Sequence, residues 1–195
     1  MRSAGLFDLQ VNGFAGVDFN AETIDADQLD HALEAMLGTG VASCLPTLIT
    51  APADGLAVRL GALDRAVARS RLGPVMVPGY HLEGPFLNPA EGYAGCHPAN
   101  AMSIPDEALV ERLSRDVSRP ILLVTIAPEL PESERFISAM TSAGRVVAIG
   151  HSAGDDVTLD QVKRQGDGAS DPKGHQHHYP GAPDASDDHA DGAAE

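Results

Sequence analysis

Gly79-Tyr80-His81-Leu82-Glu83-Gly84-Pro85 is the stretch on which the fold turns. The apolar run Val75-Met76-Val77 leads into it, so a third strand is expected to start there, and Gly84-Pro85 bends the chain away. A strand that ends on His-x-Glu presents polar groups at its C-terminal mouth, where α/β proteins gather their chemistry.

Working outward, the same grammar repeats. Leu6-Phe7-Asp8-Leu9-Gln10-Val11 reads as a first strand. Asp25 can cap a helix whose Leu29, Ala32, Leu33, Met36 and Leu37 share one face, with Gly38 and Gly40 at its end. Val41–Ile49 is apolar enough for a strand buried on both faces. Thr50 is expected to cap the next helix, with Pro52 in its first turn and Leu56, Leu60, Leu63 and Val67 facing inward. Beyond the stretch, a long polar loop covers 86–103, followed by a helix at 106–113, a strand at Ile121–Ile126 and a helix at 132–143. A fifth strand, Val146-Val147-Ala148-Ile149, runs into Gly150-His151.

Strand and helix in alternation imply parallel strands joined by crossovers. Alternation alone fits both an open doubly wound sheet and part of a closed barrel. Gln10, Asn12, His81, Glu83 and His151 fall at the ends of strands one, three and five, and a barrel gathers such separated ends around one centre. The expected fold class is therefore α/β, a partial TIM-like (β/α) barrel, at 1–163. With 195 residues the chain is short of the roughly 250 of a closed barrel.

Composition narrows the partners. A net charge of −15 argues against nucleic acid, which needs clustered Lys and Arg. No apolar stretch approaches the ~20 residues of a membrane span, and nothing resembles a signal peptide, so no membrane is expected and a cytoplasmic location is. Two cysteines make no disulfide framework, and Cys44 reads as a buried small hydrophobe. From 164 to 195 there is no Val, Ile, Leu, Met or Phe, so this acidic, His-containing tail is expected to be disordered. Its abrupt onset suggests a chain that has lost its proper continuation, by truncation or a shifted reading frame.

Glu83 at a strand mouth is a candidate metal ligand; the alternative is a solvated loop glutamate. His151 has the same setting, with polar punctuation as its alternative. Gln10 and Asn12 alternate on one side of strand one and can hold a water or substrate group. His97, beside Gly95 in the loop, can meet an anion. Cys96 as a nucleophile lacks an evident base.

In order along the chain stand Asp8-Leu9-Gln10-Val11-Asn12-Gly13, Leu45-Pro46-Thr47-Leu48-Ile49-Thr50, the Gly79–Pro85 stretch continued by Phe86-Leu87-Asn88-Pro89, Gly95-Cys96-His97-Pro98, Ala127-Pro128-Glu129 and Gly150-His151-Ser152. Together these blocks resemble the N-acetylglucosamine-6-phosphate deacetylases of the amidohydrolase superfamily. The resemblance implies metal-dependent hydrolysis of a sugar acetamide, giving acetate and an amino-sugar phosphate. It implies Glu83 and His151 as metal ligands and Cys96 and His97 as substrate contacts, at the sugar phosphate. Gln10 and Asn12 replace the usual His-x-His pair, which implies one divalent ion, zinc for preference. A small amino-sugar phosphate is the implied partner, and the family admits homo-oligomers. Departures matter too. The family's third metal ligand, a later histidine, has no counterpart: Asp171-Pro172-Lys173 stands there, with His175, His177 and His178 just beyond. The catalytic aspartate, the phosphate-binding arginine and the last barrel strands also lack counterparts, so weak activity or none is expected. Rival readings are another sugar-amide amidohydrolase and a non-catalytic barrel fragment.

Overall fold

A computed structural model describes residues 5–155, with 158 and 160. The 164–195 tail and its histidines lie outside the described residues.

The chain opens with β1 (Leu6–Val11), then a short hairpin of β2 (Gly13–Phe14) and β3 (Val17–Asp18). Ala15 and Gly16 make its turn, both at positive φ (49° and 81°), the pairing that matches strand twist. This hairpin has no counterpart in the sequence reading. Helix α1 (Ala26–Gly38) starts at Asp25, whose carboxylate accepts from the Gln28 N–H while the Gln28 side chain accepts from the Asp25 N–H. Such a capping box satisfies two orphan amides at once. Leu29, Ala32, Leu33 and Met36 are buried as their spacing predicts, whereas Leu37 is 43% exposed.

β4 (Val41–Ile49), α2 (Ala53–Arg69) and a helical turn, α3 (Gly73–Met76), follow. Leu56, Leu60, Leu63 and Val67 form the buried stripe of α2. Two expectations fail here. Thr50 does not cap α2: Pro52 holds that position with no side-chain bond. Val75-Met76-Val77 does not begin a strand. Pro74 sits in the first turn of α3, and Ser43 and Arg119 take the carbonyls of Met76 and Val77 by hydrogen bonds. Pro78 then offers no N–H to a ladder, so the strand starts two residues on.

β5 (Tyr80–Glu83) is short and wholly buried. After the loop come α4 (Glu107–Arg115), β6 (Ile121–Ile126), α5 (Ser133–Ser142) and β7 (Val146–Ile149). The loop is irregular except for one 3₁₀ turn, Ala99–Ala101, and Phe86 anchors it by an edge-on contact with Phe136 of α5 at 5.0 Å.

Sheet order settles the architecture. The strands run β1-β4-β5-β6-β7, all parallel, with no reversal. A doubly wound sheet reverses direction at a switch point and carries helices on both faces. Here α1 packs on α2, α2 on α4 and α4 on α5, one layer of neighbours. The helix-facing residues Val11, Cys44, Leu48, Leu82, Val124 and Ile126 belong to the apolar core. Burial pushes the Cys44 thiol up to about 12, as for an inert core residue. Alternate positions put Gln10, Thr47, His81, Glu83 and Thr125 on the other face, where they bond one another. The fold is a curled, parallel half-barrel. No helix among the described residues is long and apolar enough to cross a membrane.

Candidate metal centre

Glu83 ends β5 on the polar face and is 5% exposed. Gln10, two strands away, donates its Nε2–H to Glu83 Oε1 at 2.8 Å. His151 follows β7, one strand further round than β6, and its Nε2 lies 3.5 Å from Glu83 Oε1. His97 reaches in from the loop, with Nε2 3.8 Å from Glu83 Oε2. The two imidazoles meet edge-on, centroids 4.5 Å apart, and one ligand atom from each of the three residues lies within 4.8 Å of the others.

Neighbours set each ring's proton. The Tyr93 carbonyl oxygen, 2.7 Å from His151 Nδ1, can only accept, so Nδ1 carries hydrogen. In the neutral ring the Nε2 lone pair then faces the Glu83 carboxylate. His97 Nδ1 lies 2.9 Å from the Thr50 hydroxyl and 3.4 Å from the Thr50 N–H. That amide can only donate, so Nδ1 accepts and the His97 proton sits on Nε2. Burial holds the His97 imidazole below its ordinary pKa; Glu83 pulls it up and His151 pushes it down.

One layer below, His81 spans the sheet. Its Nε2 is 2.7 Å from the Thr125 hydroxyl and its Nδ1 3.2 Å from that of Thr47. Burial lowers its pKa to about 4, so it is neutral and outside the cluster.

The cluster fits a cation. Donors about 2.1 Å from a tetrahedral ion stand roughly 3.4 Å apart, close to the 3.5 Å between Glu83 and His151. Their separation exceeds a hydrogen bond, and two acceptors face one another whenever His151 is neutral. A positive charge removes that conflict.

Of the residues singled out in the sequence, Glu83, His97, His151 and Gln10 converge. Asn12 is exposed beyond β1, its carbonyl accepting from the Phe19 N–H. Cys96 is an exposed free thiol outside the cluster. Thr50 is the residue that sequence reasoning misplaced, and Tyr93 the one it missed; the latter acts through its main chain, which no side-chain pattern reveals.

Comparison with known proteins gives the cluster a context. The chain is 35% identical to N-acetylglucosamine-6-phosphate deacetylase from Bos taurus over 167 residues, 83% of this chain and 39% of that one. The resemblance is to these deacetylases. The Homo sapiens N-acetylglucosamine-6-phosphate deacetylase is also 35% identical, over 77% of this chain and 37% of its own length. An N-acetylgalactosamine-6-phosphate deacetylase from a Shewanella strain is 33% identical over 80% of this chain. The chain thus spans about two-fifths of the curated relatives it matches. A Mycobacterium smegmatis N-acetyl-D-glucosamine-6-phosphate deacetylase, solved as a variant with N-acetyl-D-glucosamine-6-phosphate, superposes with a TM-score of 0.73 at 27% identity. That match covers 84% of this chain and 40% of the other. No family model matches the chain.

Proposed function

We propose that this half-barrel serves the hydrolysis of the acetamide of N-acetylglucosamine 6-phosphate to glucosamine 6-phosphate and acetate. The observation that carries the reading is the convergence of Glu83, His151 and His97 at one strand-end face, in a chain similar to a deacetylase over 83% of its length. Glu83 and His151 are the protein ligands to one divalent ion, for which zinc suits the carboxylate and imidazole donors. Such an ion supplies Lewis acidity: it polarises an amide carbonyl and makes water a stronger nucleophile near neutral pH.

The chain's own residues do the rest. Gln10 holds the Glu83 carboxylate in place by its amide N–H. Tyr93 fixes the His151 proton on Nδ1, which leaves Nε2 for the ion. His97, protonated on Nε2, donates to a substrate oxygen entering the cluster, and Cys96, its neighbour in sequence, is the second substrate contact. The cytoplasm is the natural setting for a sugar phosphate, and two free cysteines accord with it.

Zn²⁺ titration of the chain and of a Glu83→Gln variant tests the metal reading. A stoichiometric site in the first and none in the second is expected; equal binding would remove it. For the activity, acetate release from the gluco- and galacto-configured N-acetylhexosamine 6-phosphates is measured with the chain's sequence grafted into a full-length relative. Turnover of neither sugar would overturn the reading.

A further inference from the structure

The main chain at His151 is unusual. Its φ is +52°, the left-handed region that a non-glycine residue enters at a cost. That conformation turns the ring back from the end of β7 toward Glu83. The bonds that hold it there converge on one carboxylate outside the cluster, Glu129, which follows β6.

Glu129 Oε1 accepts from the Ala153 N–H at 2.7 Å and from the Asn88 side-chain amide at 2.8 Å, and Oε2 accepts from the Ser152 hydroxyl at 2.7 Å. Asn88 closes the circuit, since its main-chain N–H donates to the His151 carbonyl at 3.1 Å. One side chain thus ties the segments after β5, β6 and β7 together, gripping the two residues that follow His151 and the residue that grips His151 itself. Burial would raise the Glu129 pKa, but the bonds from Ser152, Ala153 and Asn88 outweigh it, so the group stays a carboxylate. A carboxylate is the side chain that accepts from all three donors at once.

We infer that Glu129 is a positioning residue for the metal centre: it locks His151 in the left-handed conformation that aims Nε2 at the ion. This rests on the proposed metal site and assigns Glu129 no contact with ion or substrate. Loss of an outer partner of this kind typically costs about 10–100-fold in metal affinity.

The test uses the full 195-residue chain and Zn²⁺ or Co²⁺ alone. Glu129→Ala is expected to weaken Zn²⁺ binding by about 10–100-fold, and at saturating Co²⁺ to shift the visible d–d spectrum. Glu129→Gln keeps an acceptor for Asn88 and Ala153, so it should recover most of the affinity. Wild-type affinity and spectrum in Glu129→Ala would overturn the inference and leave the metal site standing. Failure of the wild-type chain to bind, with Glu83→Gln indistinguishable from it, would instead overturn the metal site. If Glu129→Ala does not fold, by circular dichroism, Asn88→Ala and Ser152→Ala decide. Each removes one of the bonds to Glu129 and should weaken binding by a smaller factor; unchanged affinity in both defeats the inference.

Discussion

Glu83 is the residue on which three others depend, and its environment sets how sharply it should respond to change. Glu83→Gln keeps size and removes charge, so its effect on Zn²⁺ affinity should exceed the roughly 100-fold upper range for outer partners, read by competition with a chelating dye. Gly84 is constrained from the other side. Its φ is +83°, and a Cβ there would collide with the Thr50 hydroxyl. Gly84→Ala should therefore lower the denaturation midpoint by the equivalent of about 1–3 kcal/mol and disturb the His97 bond to Thr50. Imidazole ¹⁵N shifts would show it as a change in the His97 tautomer. That Glu83 and His151 stand at the ends of strands was legible in the sequence, since a turn signal, Gly84-Pro85 or Gly150, accompanies each. Thr50 was not: a threonine before Pro52 satisfies a local capping rule equally well, and only the fold reveals that its hydroxyl meets His97.

Elements were legible where length and periodicity agreed. α1, α2, β4, β6 and β7 fall within a few residues of their expected places because each buries one regular face. β5 was misjudged at its start, where prolines outweighed an apolar triplet, and the β2–β3 hairpin is too short to show a period. The α1–α2 packing offers a pH test. Asp30 of α1 accepts the N–H groups of Arg71 and Leu72, at 2.8 and 2.9 Å, where α2 turns into α3. Burial would raise its pKa, but these two amides, the Arg71 charge and Ser70 outweigh it and hold the carboxyl below its ordinary range. Being lowered on folding, this pKa contributes stability that is fully present above the ordinary carboxylate value and lost as pH falls through the folded value. Asp30→Asn should lower stability at neutral pH and flatten its acid limb in urea titrations from pH 6 to 2; an unchanged slope would count against the clamp.

At the scale of the molecule, the choice between open sheet and barrel was only partly legible. Scattered polar strand ends leaned toward a barrel, but strand order and the single helix layer decide it, and both are relations between distant segments. The half-barrel leaves exposed apolar groups on its first and last strands: Leu6 is 64%, Phe7 49% and Leu9 53% exposed, and Val146 is 62%. Among the described residues no strand pairs beyond β1 or β7. Unpaired edges of this kind template further pairing. The isolated chain is expected to self-associate as concentration rises, seen by light scattering, and Phe7→Lys with Leu9→Lys should reduce it. It should also release acetate from N-acetylglucosamine 6-phosphate slowly or not at all even with Zn²⁺. Among the described residues Glu83 is the cluster's sole carboxylate, and a positioned acid or base contributes roughly 10²–10⁴ in rate. Rapid turnover abolished by Glu83→Gln would show that prediction wrong.

The uninterrupted order β1-β4-β5-β6-β7 also bears on how the protein emerges from a ribosome. Every strand of the main sheet pairs with the one before it, so each strand–helix unit can dock as soon as it is made, without waiting for a distant partner. Glu83 is in place by the third of these units, but His151 arrives only after the fifth. On the proposed metal reading, cofactor uptake therefore waits for the residues that follow β7. A nascent chain arrested before β7 would have Glu83 in place and still lack the second proposed ligand, His151.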